Sequence, residues 1–187
     1  MNNKSVNVQL LVLTGLFVAL TAVGAFLKIP TASGVAITLQ LLFTFLAGIL
    51  LGPGWGALSQ LVYVLLGLAG VPIFTAGGGF GYALQPSFGF LLGLIPCAAL
   101  TGWIARAGER RTVLRIILAC LAGWAVLYAV GLPYMAAVLN LHLKKGLDAA
   151  AIMKIGMLIY LPGDALKIAA TVILSKALLP VMNKIRR

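Results

Sequence analysis

Apolar residues run along this chain in long blocks, and short polar or glycine- and proline-rich breaks separate them. The first block, residues 8–27, follows a short polar start whose one cation is Lys4. Its length matches the ~20 residues a helix needs to cross a bilayer. A secretory signal peptide has a shorter apolar core of about 7 to 15 residues, so the block reads as a retained first helix. Residues 28–34 form a loop by their Pro, Gly and hydroxyl content. Ile37-Thr38-Leu39-Gln40 opens a second run ending at Leu51, Gly52-Pro53-Gly54 predicts a tight turn, and a third run follows to Ala69. Both runs are shorter than a full span, which predicts a tilted hairpin or helices reaching part-way with loops buried in protein. A fourth helix is predicted to Ala105, and a long fifth one to Leu141, bent by Gly131 and Pro133. Asp148 can cap a short helix over 149–157. Pro162 suits the first turn of a sixth helix. The pattern predicts an all-α integral membrane protein: one transmembrane domain, 1–187, with helices at about 8–27, 38–51, 55–69, 88–105, 113–141 and 162–180.

Composition closes off the alternatives. Of 187 residues, 62% are hydrophobic and 9% charged, against roughly 25% charged in a soluble domain. The continuous apolar runs also exclude a barrel, whose strands alternate over about 10 residues. A net charge of +11 raises the question of nucleic acid. The Lys and Arg residues instead cluster at the ends of apolar runs, as topology signals do. Six helices put both termini and the basic turn 106–115 in the cytoplasm. Segments 28–36, 70–86 and 142–161 then share the outer side. Cys97 and Cys120 lie in apolar stretches and read as small hydrophobes, and the lone His142 builds no catalytic or metal cluster. No internal repeat supports an inverted-repeat transporter.

Chemistry concentrates in Leu161-Pro162-Gly163-Asp164-Ala165-Leu166-Lys167. Asp164 is one of three acidic residues in the chain. A charge at the centre of a membrane helix costs about 2.5 to 3.5 kcal/mol on insertion scales, and such residues are usually partnered and functional. Lys167, three positions on, shares its helical face. The plainer reading makes Asp164 a helix-terminus acid complementing the macrodipole. The uncharged segment 70–87 mixes glycine with aromatics and reads as a lid or pocket wall. Its backbone N–H groups can form an anion-binding nest, with Phe74, Phe80 and Tyr82 as an apolar wall. Tyr128 and Tyr134 lie near the outer half of the fifth helix. Gly15, Ala19 and Ala22 form a small-residue stripe that admits a neighbouring helix, within the chain or outside it. There is no phosphate-binding glycine-rich loop, so the chain does not hydrolyse ATP itself. Ser59 and Ser87 have no base to activate them, which argues against an intramembrane enzyme. A secondary transporter in which Asp164 carries a proton is a competing reading.

Taken in order, four stretches resemble the BioY family of biotin transporters, the substrate-binding S components of energy-coupling factor (ECF) transporters. They are Ile37-Thr38-Leu39-Gln40, Leu51-Gly52-Pro53-Gly54-Trp55-Gly56-Ala57, the loop from Gly70-Val71-Pro72-Ile73-Phe74 to Pro86-Ser87-Phe88-Gly89, and Leu161 to Lys167. The resemblance implies a bacterial plasma-membrane protein that captures biotin with high affinity. It implies as partners a transmembrane coupling protein and two ATPase subunits, which alone use ATP, and no metal or covalently bound cofactor. Asp164 and Lys167 match the family's polar pair and Gln40 its glutamine after the first loop. The expected ligand-binding set is Asp164, Lys167, Gln40, Thr75, Gly77, Gly78, Gly79, Phe80, Tyr82, Pro86, Ser87 and Tyr128. The resemblance makes Gly15, Ala19 and Ala22 the docking surface for the coupling protein. The chain departs from the family at Gly79, where members carry asparagine, and at Phe90-Leu91, where some carry arginine. Three holders for biotin's carboxylate stay open: the N–H groups of 77–81, a hydroxyl of Thr75 or Ser87, or Lys28. A pocket for another vitamin would use the same fold.

Overall fold

A computed structural model describes residues 8–29, 35–107 and 111–185. Lys4, most of the first loop (30–34), part of the basic turn (108–110) and Arg186-Arg187 lie outside the described residues. Helix α1 covers Val8–Phe26, α2 Gln40–Leu51, α3 Pro53–Leu68, α4 Phe88–Arg106, α5 Val113–Ala137, α6 Ala149–Gly156 and α7 Leu161–Ile185. Among the described residues, four helical segments are long and apolar enough to cross a membrane: Val8–Phe26, Phe88–Arg106, Val113–His142 and Ala149–Met182. At 1.5 Å per residue, the 12 residues of α2 and 16 of α3 fall short of the ~30 Å hydrocarbon core. The two short runs are thus two short helices.

The turn between them is tighter than Gly52-Pro53-Gly54 predicts. Pro53 is already the first residue of α3, where its missing N–H costs nothing, and Gly52 alone joins the helices at φ +95°. A side chain at Gly52 would collide with the Arg106 guanidinium, which donates to the Leu50 carbonyl. Arg111 donates to the Ile49 carbonyl. Two arginines at opposite ends of the α4–α5 turn thus satisfy carbonyls that the end of α2 leaves unpaired.

Close packing of backbones holds the centre together. A Cβ on Gly48 of α2 would sit 2.4 Å from the Ala98 carbonyl oxygen of α4. A Cβ on Gly123 of α5 would sit 2.1 Å from the Thr101 hydroxyl of α4. The main apolar core fills the space around these crossings, with Phe45, Ile49, Tyr63, Leu94, Cys97 and Cys120 fully or almost fully buried.

The loops carry more structure than their composition predicts. Lys28–Ile29 (β1) pairs antiparallel with Ile37–Thr38 (β2), Lys28 opposite Thr38. The glycine-rich loop contains a 3-10 turn, Phe80–Leu84. α5 runs through Gly131 and Pro133 and widens into a π-helical turn, Val138–His142. The Asp148 carboxylate caps α6 by accepting from the Ala151 N–H at 2.8 Å. α7 begins at Leu161 with Pro162 in its first turn, but runs on past Pro180 to Ile185 rather than stopping near 180. A proline removes one ladder hydrogen bond and does not by itself end a helix whose flanking residues stay helical.

Candidate functional site

The segments flanking α2, α4 and α7 converge on a cavity. Its wall includes Val35 to Thr38 and Gln40 on one side and Thr75, Tyr82 and Ser87 on another. Phe90, Leu91, Leu94, Leu127 and Tyr128 add the apolar surface of α4 and α5, and Gly156, Tyr160, Asp164 and Lys167 complete it. About 80 Å³ is open to the centres of water-sized spheres. One water needs roughly 10–15 Å³ by that measure, so the space suits a small organic molecule. Mostly apolar walls with a few convergent polar groups are typical of ligand sites.

The polar groups form two clusters. In the first, Lys167 donates to Asp164 Oδ1 at 2.8 Å. Trp124 Nε1 and the Tyr128 hydroxyl donate to Asp164 Oδ2 at 3.0 and 2.7 Å. Both ions are nearly sealed from outside, Asp164 at 3% exposure and Lys167 at 8%. A carboxylate has about four acceptor sites and an ammonium three donors. Three acceptor sites and one donor are used, leaving a vacant site on Oδ1 and two free N–H groups. In the second cluster, Gln40 accepts from the Thr38 hydroxyl at 3.0 Å and donates to the Tyr63 hydroxyl at 2.9 Å. Tyr63 in turn donates to the Ile73 carbonyl.

Aromatic rings brace the wall from behind. Tyr63, Phe74, Tyr82, Phe88 and Tyr134 form an unbroken series of ring contacts, with centroids 4.6 to 6.5 Å apart. Tyr128 packs between Phe90 and Trp124. The Tyr160 hydroxyl donates to the Val35 carbonyl, tying the turn that leads into α7 to the segment that leads into β2.

Of the expected ligand-binding residues, the cavity wall contains Asp164, Lys167, Gln40, Thr75, Tyr82, Ser87 and Tyr128. It does not include Gly77, Gly78, Gly79, Phe80 or Pro86. Phe80 points out of the fold at 80% exposure, and Phe74 is buried against α3, where its ring fills the space beside Gly67. Two N–H groups of the expected nest are committed: the Gly79 N–H donates to the Gly67 carbonyl at 2.7 Å and the Gly77 N–H to the Phe74 carbonyl at 3.3 Å. Those glycines, with φ of +112° and +96° at Gly77 and Gly79, shape the loop rather than the cavity. On α1, Gly15 and Ala19 lie on the exposed face, while Ala22 is half-buried against the core.

Sequence reasoning missed Trp124 and Tyr160. Trp124 stands four residues before Tyr128, one helical turn away on the same face, and that spacing is the signal that could have found it. Tyr160 directly precedes the Leu161–Lys167 motif. Its contact with Val35 joins residues 125 apart, which no local pattern reveals.

Comparison with known proteins agrees with this geometry. The family model described as the BioY family matches residues 1–184. A probable biotin transporter BioY of Lysinibacillus sphaericus is 40% identical over 94% of this chain and 89% of its own length. The biotin transporter BioY of Rhodobacter capsulatus is 37% identical over 89% of this chain and 90% of its own. A crystal structure of the S-component for biotin from an ECF-type ABC transporter superimposes with a TM-score of 0.80 at 25% identity, covering 95% of this chain and 93% of that one. These relatives are transporters or a transporter component, not enzymes. With a family model matched along almost its whole length, the chain belongs to the BioY family.

Proposed function

We propose that this chain is the high-affinity biotin-binding S component of an ECF-type vitamin transporter in a bacterial plasma membrane. It spans that membrane six times, with both termini cytoplasmic and the cavity facing outward. The observation that carries this reading is the buried Asp164–Lys167 pair in the wall of an otherwise apolar cavity. Biotin's ureido ring offers two N–H donors and one carbonyl. The vacant site on Asp164 Oδ1 accepts one N–H, and a free Lys167 N–H donates to the carbonyl. Gln40 closes the polar end from the opposite wall. The apolar body of the ligand lies against Tyr82, Phe90, Leu91, Leu94, Leu127 and Tyr128. Trp124 and Tyr128 fix the carboxylate's orientation, so it meets the ligand without rearranging.

Energy for transport comes from partners: a transmembrane coupling protein and two ATPase subunits. The exposed Gly15 and Ala19 face of α1 is the docking surface, with Ala22 at its inner edge. Replacing Gly15 and Ala19 together by Trp is expected to abolish assembly of the complex while leaving biotin binding unchanged. Co-purification with the coupling protein checks this, and retained assembly rules the surface out.

The reading is tested by binding labelled biotin to the detergent-purified chain alone, with other vitamins as competitors. Saturable binding displaced by biotin but not by thiamine or riboflavin supports it. A folded, monodisperse sample that ignores biotin and binds another vitamin overturns it.

A further inference from the structure

Asp164 and Lys167 neutralise each other, so the charged residues in the cavity wall leave an anionic ligand tail without a counter-charge. The cation placed to supply one is Lys28. Its backbone pairs with Thr38, and its ammonium donates to the Thr75 carbonyl. Thr38 and Thr75 both line the cavity, so Lys28 bridges two parts of the rim from outside the wall. It is solvent-exposed, and an ammonium has three donors, so two remain.

Three hydroxyls lie beneath it. Ser87 donates to the Tyr82 hydroxyl at 3.2 Å. The Tyr82 and Thr75 hydroxyls are 2.7 Å apart, and either can donate to the other. When Tyr82 donates to Thr75 Oγ1, the Thr75 proton is free to donate to a ligand. Thr75 then gathers both groups: its carbonyl holds the Lys28 ammonium and its hydroxyl carries a free donor. The competing holders are less well placed: Ser87 donates to Tyr82, the Gly77 N–H to the Phe74 carbonyl of its own loop and the Gly79 N–H to the Gly67 carbonyl of α3, and residues 77–81 do not line the cavity.

We infer that Lys28 and the Thr75 hydroxyl form a two-donor clamp at the cavity rim that selects ligands ending in a carboxylate. The inference rests on the biotin reading above. The ligand lies with its ureido ring at Asp164 and Lys167 and its carboxylate at Lys28 and Thr75, one oxygen to each. Recognition is then divided between a sealed polar end and a solvent-facing charged end.

The test compares biotin with its uncharged primary amide, biotinamide, in equilibrium binding to the purified full chain. For an exposed charge-assisted hydrogen bond, the wild type is expected to prefer the acid about tenfold. Lys28→Met is expected to remove most of that preference by weakening the acid, while the amide shifts less than about twofold and reports that the variant is folded. Lys28→Arg is expected to keep the preference. Thr75→Val retains the carbonyl that holds Lys28 and is expected to cut the preference about threefold. Added salt is expected to narrow the wild-type preference. A wild type that binds acid and amide equally, or a Lys28→Met variant that keeps the full preference, overturns the clamp and leaves the biotin reading standing. A wild type that binds neither overturns both.

Discussion

Two of the buried polar clusters described in this apolar chain are built on opposite principles. The neutral one joins α1, α2 and α3. Gln60 accepts from Thr44 at 3.1 Å and donates to Thr21 and Ser59 at 3.3 and 3.0 Å. All four side chains are fully buried. Thr21 and Ser59 also donate to a backbone carbonyl of their own helix, at Phe17 and Gly56, and Thr44 shares its single proton between Gln60 and the Gln40 carbonyl. The charged cluster joins α5 and α7. Asp164 and Lys167 meet Trp124 and Tyr128 there, beside an open cavity and with donors and acceptors to spare. The neutral cluster is closed and complete, as a structural tie should be. The charged one lines the cavity wall with donors and acceptors to spare, which is the basis of the proposed binding site.

Mutations that break this contrast should separate binding from stability. The largest effect is expected at Asp164. Asp164→Ala leaves the Lys167 ammonium buried and unpaired, which costs about 3–5 kcal/mol of stability. In the proposed pose it also removes the ligand's acceptor, and biotin affinity is expected to fall by about ten- to a hundredfold, since a hydrogen bond to a charged group contributes about 1.5–3 kcal/mol. Thermal unfolding in detergent and titration with labelled biotin check the two halves.

Gln60→Leu is expected to do the reverse. Interhelical hydrogen bonds in membrane proteins average about 0.6 kcal/mol, and the three orphaned hydroxyls keep their local carbonyls, so the loss is about 1–2 kcal/mol. Lowered thermal stability with biotin affinity within about twofold of wild type supports the separation. A large loss of affinity would mean that the neutral cluster also serves the site. Tyr128→Phe is the smallest change. It removes one donor to Asp164 and keeps the ring between Phe90 and Trp124. Loss of one such interhelical bond is expected to lower stability by about 0.6–1.7 kcal/mol and, because the carboxylate is less firmly held, to reduce biotin affinity by less than about tenfold.

How far the sequence discloses these features follows from the range of the interactions. The Asp164–Lys167 contact spans three residues on one helix, and helical periodicity puts both on one face. The Asp148 cap is equally local. The short lengths of α2 and α3 are visible as interrupted apolar runs. Contacts of long range are not legible in this way. Trp124 reaches Asp164 across 40 residues, and Tyr160 reaches Val35 across 125. The glycine-rich loop misleads for a related reason. Glycine content shows that the backbone adopts positive φ, but not whether its N–H groups face a ligand or a neighbouring carbonyl. Here Gly67 of α3 receives the Gly79 N–H. Phe80 looks like a wall residue by type, yet the 3-10 turn that begins with it turns Tyr82 inward and leaves Phe80 outside.

The most direct test of the central claim is equilibrium binding of labelled biotin, run in parallel on the detergent-purified wild-type chain and on Asp164→Asn. The substitution keeps the size of the side chain and removes the charge that pairs with Lys167 and accepts the ureido N–H. Saturable binding to the wild type, weakened at least about tenfold in a variant that remains folded and monodisperse, is the expected result. Undiminished binding by Asp164→Asn would contradict the account, because the cavity would then hold biotin without the ion pair on which the account is built.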